Sequence, residues 1–425
     1  MQIPVRDGDS GLRGPRATET PSTLDPAAER GLDGLNLFVA NIQTGFGPFV
    51  AVFLTSEGWT QTAIGFALSI GTVTAMASQV PAGALVDAVR RKTAVALFSL
   101  LAFAGSALMF AIWPTVLSVY LAEILHGFSS CTLGPAIAAL SLLVVGSASP
   151  GARLGRNVRF ASIGNGVGAM LMGMCGYYLP ERFVFFLTAA LIMPALGTLI
   201  PLARFEAALP GGRTAQKGPA AADPPRPTIR SVLGRRSLWL FASCAALFTL
   251  GNAALLPLAS TTLTKRATSE ANLFIALCIV LPQILVAMLS PSVGRLADRY
   301  GRRIMMIVAF ASLALRAFLF AWIGDPALVV TFQALDGIAG ACFGVMVPLV
   351  TNDIAGKSGR FNFCLGLVGF AMGIGATIST SLAGWIADTF GEAAAFLTFA
   401  AIAAAGVLLV WTALPETLAK QARAM

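Results

Sequence analysis

The chain has 425 residues, 56% hydrophobic and 12% charged, with a formal net charge of +9. Soluble domains carry about 25% charged residues; half that share, clustered between long uncharged stretches, excludes a soluble fold and makes lipid the solvent. The basic excess sits in short segments between apolar runs rather than on one face of a soluble module, which argues against nucleic acid as a partner.

In chain order, residues 1–33 hold Pro, Gly and charge without an apolar run and are predicted to be a disordered tail. The next segment, 34–56, is longer than the roughly 7–15-residue core of a signal peptide and reads as a retained helix. A span needs about 20 apolar residues. That measure places spans at 34–56, 62–86, 93–112, 115–146, 158–179 and 183–203, then at 238–262, 271–293, 304–323, 327–353, 361–385 and 391–414. Between the two sets, 204–237 carries Pro-Gly-Gly, Pro-Pro and a basic excess and reads as a linker; 415–425 reads as a second tail. Of the 29 Lys and Arg, all but Arg182, Lys265, Arg266 and mid-span Arg316 fall on one side of this arrangement. The positive-inside bias then puts both termini in the cytoplasm of a cytoplasmic (inner) membrane. The six cysteines lie inside apolar stretches without metal-ligand spacing and are expected to be reduced packing residues.

The two sets repeat each other. Gly83-Ala-Leu-Val-Asp87-Ala-Val-Arg90-Arg91-Lys92 follows the second span, and Gly294-Arg-Leu-Ala-Asp298-Arg-Tyr-Gly301-Arg302-Arg303 follows the eighth. Asn41 and Asn252 share this spacing; Pro48 and Pro257, and Pro81 and Pro291, come close to it. Glu123-x-x-His126-Gly127 in the fourth span parallels Gln333-x-x-Asp336-Gly337 in the tenth.

These paired loops have the form G-x-L-a-D-r-x-G-r-k, and over residues 34–414 the chain resembles the major facilitator superfamily. The second copy matches fully; the first has Arg90 where a glycine is expected. The resemblance implies an all-α membrane protein of 12 transmembrane helices in two pseudo-symmetric six-helix bundles. It also implies a cytoplasmic gate built from Gly83, Asp87, Arg91, Lys92, Gly294, Asp298, Gly301, Arg302 and Arg303, which in that family holds the outward-open state. The residues give an independent reason: glycines let another helix approach, and acid beside base at a helix end can join neighbouring helices. The fifth span has Gly164-x-x-x-Gly168 without the proline that follows in drug-proton antiporters, and Gly369-x-x-x-Gly373 matches it in the eleventh. Both suit close helix packing. Glu123 stands where the family often has an arginine, so no arginine-based coupling is carried over.

Four ionisable groups remain in mid-span: Glu123, His126, Arg316 and Asp336. Each should face protein or a water-filled cavity. Helical rise puts Arg316 roughly 18 Å from the inside and Asp336 roughly 14 Å from the outside of a core about 30 Å thick. They are expected to form an ion pair, either as a brace of the second bundle or as a substrate or proton site. Glu123 and His126 share a helix face and suit proton uptake and release, or else hydrogen bonding within the bundle. Glu123, His126 and Asp336 are the expected proton-coupling residues. Asn41, Gln43, Thr44, Asn165, Asn252, Gln283 and Gln333 are the expected substrate-cavity groups, near helix-bending prolines; Asn352 and Asp353 fall near the inner gate.

The expected function is proton-coupled export of a small organic solute, a drug or metabolite, with uptake of a carboxylate, sugar or metal chelate as the alternative. A non-transporting receptor is the reading from another class. No ATP-binding loop, nucleophile elbow, metal cluster or cofactor motif occurs in the sequence, so neither an enzyme nor a cofactor is expected. The expected partners are a small-molecule substrate, protons and the lipid bilayer, with the chain acting as a monomer.

Overall fold

The computed structural model describes residues 25–46, 48–145, 150–209, 229–259, 271–322, 324–358 and 360–418. The first half comprises α1 (Pro26–Thr44), α2 (Pro48–Ser56), α3 (Gln61–Ala88), α4 (Lys92–Ile112), α5 (Val116–Val145), α6 (Pro150–Tyr178) and α7 (Arg182–Ala208). A short α8 (Ile229–Leu233) precedes the second half. That half comprises α9 (Arg236–Asn252), α10 (Ala271–Tyr300), α11 (Arg302–Trp322), α12 (Pro326–Phe332), α13 (Ala334–Ala355), α14 (Phe361–Phe390) and α15 (Glu392–Thr412). Among the described residues there is no strand. Most of the linker expected at 204–237 lies outside them, although α7, α8 and α9 occupy its two ends.

Among the described residues, eleven helical stretches are long and apolar enough to cross a membrane. The twelfth helix of the bundle, α6, falls short of that measure: Arg153, Arg156 and Arg159 occupy its first turns, and glycines with Asn165 dilute the apolar stretch that follows. It begins at Pro150, eight residues before the expected span. The expected amino-terminal tail is also corrected. Asp25 caps α1, its Oδ1 accepting from the Ala27 N–H at 2.9 Å, and Pro26 occupies the first turn where its missing N–H costs nothing. Helix therefore covers 26–33 and buries Ala28, Leu32 and Asp33.

Each half has an apolar core: one runs from Ala28 and Leu32 to Leu199 and Leu202, the other from Val232 and Leu238 to Leu414, with Leu154 of the first half packed into it. Three of the membrane-crossing elements are interrupted. The first breaks at Gly45–Phe46 between α1 and α2, the seventh at Ala253–Ala254 before helix resumes at 255–259, and the tenth at Gln333 between α12 and α13. Glycines set the closest helix approaches. A Cβ on Gly164 would collide with the Leu37 carbonyl, and one on Gly168 would lie 3.0 Å from Asn41 Cα, so α1 rides directly on α6.

The repeat is visible at the helix ends. Glu206, at the end of α7, accepts from the Lys92 N–H at 2.6 Å and the Thr93 N–H at 3.2 Å, capping α4. Its counterpart Glu416 accepts from the N–H groups of Arg302 at 2.9 Å and Arg303 at 3.2 Å, capping α11. The carboxyl-terminal tail expected from residue 415 is thus docked at its start. Each cap satisfies otherwise orphaned donors. Replacing Glu206 or Glu416 by Ala is expected to cost about 1–2 kcal/mol of stability each. Thermal unfolding of the purified protein in detergent measures it, and an unchanged midpoint in both variants contradicts the capping role.

Candidate functional site: a cavity between two interlocked halves

The halves meet chiefly along two helix pairs, α3 with α14 and α6 with α10. Both contacts are tightest at the arginine-rich end. A Cβ on Gly83 would strike the Asn362 carbonyl, and one on Gly294 would strike the Gly151 carbonyl. Backbone therefore touches backbone at both places, which only glycine permits. One residue turn beyond each glycine, an aspartate reaches across. Asp87 Oδ1 accepts from Asn362 N at 3.0 Å and Asn362 Nδ2 at 2.7 Å, while Oδ2 accepts from Phe363 N at 2.8 Å. Asp298 Oδ2 accepts from Ala152 N at 3.1 Å, and its Oδ1 lies 3.3 Å from Arg302 Nη1. Asn362–Phe363 and Ala152 are the first turns of α14 and α6. Each signature aspartate of one half thus sits on the positive end of a helix dipole in the other.

The basic residues act within their own halves, where Arg302 on α11 meets Asp298 of α10 and Asp353 of α13. They do not join the halves by pairing with the aspartates across the gap. Arg91 is exposed and makes no side-chain cap. Lys92 directs its ammonium at the carbonyls of Val86 and, at 2.7 Å, Val89, closing the end of α3. Arg302 bonds Asp353 at 3.0 Å and the Ala297 carbonyl at 2.6 Å, both within its own half. Arg303 enters through its backbone N–H alone. Asp353 also accepts from Thr417, so it stands among the helix ends where Arg302 and the segment after α15 meet.

The Arg90 departure has a local consequence. In the second copy the chain turns at Gly301 with φ of +104°, against Glu416. Arg90 disfavours that conformation; α3 instead stops at Ala88 and Val89 is extended (φ −78°, ψ 127°). The first lock forms nevertheless.

Above the locks lies a cavity of about 380 Å³ walled by both halves. Asn36, Gln43, Gln79, Ser130 and Asn157 supply its polar groups; Val347, Pro348 and Leu365 supply apolar wall from the second half. Of the expected substrate-cavity residues, Gln43 lines it and the others do not. Asn41 is buried against α6, its Oδ1 without a partner. Thr44 donates to the Ala40 carbonyl at 2.9 Å. Asn165 is half-buried on α6 outside the wall. Asn252 accepts from Arg316. Gln283 faces a separate groove between α6 and α10. Gln333 is 1% exposed, with both amide atoms unpartnered.

The expected proton-coupling residues also stand behind the wall rather than on it. Glu123 is 3% exposed, pressed against Gly71 of α3, and its Oε2 lies 3.8 Å from His126 Nδ1. The His126 ring stacks on Phe46 at 4.2 Å and 9°. Phe46 lies in the break between α1 and α2, so this pair touches the interruption in the first membrane-crossing element. In the second half, Arg316 Nη1 lies 2.5 Å from Asp336 Oδ1 and its Nη2 donates to Asn252, the last residue of α9. That cluster touches the interruption in the seventh. His126 and Asp336 therefore hold corresponding places in the two halves, each beside a broken helix.

Sequence reasoning missed one buried charge network next to the cavity. Arg153 Nη2 bonds Asp33 at 2.7 Å; Arg153 also donates to Asn157 Oδ1, at 3.0 Å from Nε and 2.7 Å from Nη2. Asn157 passes the chain on to Ser141 at 2.6 Å. Arg156 bonds Asp33 and reaches Glu29 at 3.5 Å. Asp33 is 5% and Arg153 4% exposed, although both looked like flanking residues in sequence. The repeat gave no warning, because this network has no equivalent in the second half. Glu206 and Glu416, by contrast, do share the repeat spacing, and that signal was available.

The fold and site define a transporter of two related bundles around a shared cavity. The family model described as Major Facilitator Superfamily matches residues 34–276 and 241–424, and the chain belongs to that superfamily. It is 33% identical over 407 residues to an uncharacterized MFS-type transporter of Mycobacterium tuberculosis, covering 95% of this chain and 97% of the relative. Shorter similarities join it to a homologue of the multidrug resistance efflux pump PmrA from Lactococcus lactis, 31% identical over 32% of this chain and 34% of that one. A multidrug resistance protein of Schizosaccharomyces pombe is 34% identical over 25% of this chain and 20% of its own length.

Breaking the Arg316–Asp336 contact leaves an uncompensated buried charge. Either Arg316→Asp or Asp336→Arg is expected to cost about 3–5 kcal/mol. The double exchange should recover part of that loss. Equal destabilisation of the double and single variants in thermal unfolding would show that the contact carries no pairwise energy.

Proposed function

We propose that this transporter exports a small organic solute, a drug or metabolite, across the cytoplasmic membrane in exchange for protons, by alternating access. The observation that carries the reading is the cavity shared by both halves and shut at one end by two repeat-related aspartate locks. With the basic loops inside, as the positive-inside bias favours, that shut end is the cytoplasmic one and both termini lie there. Parting the locks would open the cavity inward, while closure of the opposite end would seal it from outside. The chain is proposed to do this as a monomer.

Export is favoured over uptake for two reasons. Two partial relatives carry multidrug resistance in their names. Arg316, which the uptake alternative needs as an anion contact, is 1% exposed and already met by Asp336 and Asn252. The cavity wall presents amides and apolar side chains, chemistry suited to neutral or cationic amphiphiles.

Coupling is proposed to act through helix shape rather than by direct competition between proton and substrate. Glu123–His126 and Arg316–Asp336 contact the interruptions in the first and seventh membrane-crossing elements. A change of charge at either alters what holds the broken helix: a protonated imidazole strengthens its stacking on Phe46, and a neutral Asp336 loosens Arg316. The broken helices in turn help shape the cavity.

Proteoliposomes loaded with a panel of cationic and neutral dyes, under an imposed pH gradient, test the scheme. Gradient-driven movement of at least one dye is expected. Glu123→Gln combined with Asp336→Asn should abolish gradient-driven accumulation while dye exchange persists. Accumulation at the unaltered rate in that variant would end the coupling account. A lack of gradient-dependent flux for the whole panel would favour a receptor instead.

A further inference from the structure

A large groove is separate from the central cavity. It runs between α6 and α10 on the outside of the bundle and encloses about 740 Å³. Its origin is geometric. The two helices touch backbone to backbone where Gly151 meets Gly294 and Gly155 meets the Ser290 carbonyl, and they diverge above those points. Gly166 faces the opened space, and a Cβ there would meet nothing within 4 Å. Met170, Ile284 and Met288 stand along it 60%, 50% and 69% exposed, an apolar surface that lipid tails match. One charge lines it, Arg159, which is exposed and has no ion-pair partner among the described residues.

The position of that charge is decisive. Tyr177 and Tyr178, at the far end of α6, are 82% and 74% exposed, as aromatic residues are at a membrane–water boundary. From Tyr178 back to Arg159 the helical rise is about 28 Å, nearly the thickness of a hydrocarbon core of about 30 Å. Arg159 therefore sits at the opposite boundary, on the side of the basic loops, where its guanidinium can reach the headgroup layer. From Arg159 to Met170 the groove extends about 16 Å along α6, close to half the core. A single leaflet has this length, with the cation at its headgroup end.

We propose that this groove binds one anionic phospholipid of the cytoplasmic leaflet, its phosphate on Arg159 and an acyl chain along α6 and α10. The charge matches the leaflet, which is rich in anionic lipid, and the flexible methionines suit a chain of variable shape. Because the lipid fills the wedge left where the halves diverge, it stabilises the conformation in which the Gly151–Gly294 contact is closed. The site does not depend on the export reading, since lipid binding is measured without substrate or flux.

The test is thermal unfolding of the full chain in neutral detergent, titrated with phosphatidylglycerol, with phosphatidylcholine of identical chains, and with water-soluble glycerol phosphate. A saturable rise in melting temperature is expected with phosphatidylglycerol, a smaller one with phosphatidylcholine, and none with glycerol phosphate. Arg159→Gln should raise the half-saturating phosphatidylglycerol concentration by roughly tenfold or more, as loss of a charge-assisted contact implies. Arg159→Lys should retain most of the affinity. Gly166→Phe, which fills the groove, should weaken both lipids. An unchanged phosphatidylglycerol titration in Arg159→Gln, equal stabilisation by the two lipids, or a full effect of glycerol phosphate each overturns the proposal.

Discussion

A carboxylate placed on the amino-terminal turn of a helix from the other half is the interaction on which this architecture depends. Asp87 on α14 and Asp298 on α6 join the two halves where their helices touch backbone to backbone. Such a contact suits a joint that must break and re-form. Its energy is modest, about 0.3–2 kcal/mol for the dipole component, and both partners remain hydrogen-bondable to water when the joint opens. A hydrophobic seal of equal area would have been harder to reverse. The glycines at 83, 151 and 294 are the steric condition for it, since any side chain there would hold the helices apart. The two locks are also unequal: Asp87 accepts from two backbone donors and an amide, Asp298 from one backbone donor while leaning on Arg302. The Asp87 lock therefore makes the greater number of hydrogen bonds across the halves.

Behind the cavity wall, the halves solve the same problem with different chemistry. Each places buried titratable groups beside the interruption of its first membrane-crossing element, but one uses a carboxylate and an imidazole stacked on Phe46, the other a guanidinium shared between Asp336 and Asn252. Burying such groups is costly in a bilayer. Their location at broken helices, where backbone groups are already freed from regular bonding, concentrates the polar demand of each half in one place. The Asp33–Arg153–Asn157–Ser141 chain adds a third polar region on the first half alone, alongside the cavity wall at Asn157. The duplication is thus conserved in its joints and helix caps and has diverged in its interior.

Helix α6 unites these features. Its first turn receives Asp298, its buried face carries Arg153 and Asn157, its small residues admit α1, and its lipid-facing side presents Arg159. Three arginines at a spacing of three residues wind around it, and each meets a different environment: a buried acid, a half-exposed ion pair, and open groove. It is also the one helix of the twelve outside the eleven most apolar stretches, since its small and polar residues serve contacts rather than lipid.

The sequence by itself determined the membrane class, the twelve helices, the doubling and the family, because apolar length and a repeated loop are local properties that lipid enforces directly. It also placed Arg316 and Asp336 at one depth, since helical rise converts position into height. Only the tertiary structure decided what each polar group faces. Helical rise gives no azimuth and no neighbour, so Asn41, Asn252 and Gln333 looked like cavity groups but face protein, and Asp33 and Arg153 looked like flanking charges but pair in the interior. The loop signature was legible as a motif, yet the partners of its aspartates, the backbone N–H groups of helices far away in the chain, have no side-chain signature to read. Contacts to backbone are made by position rather than by residue type, and position is what folding supplies.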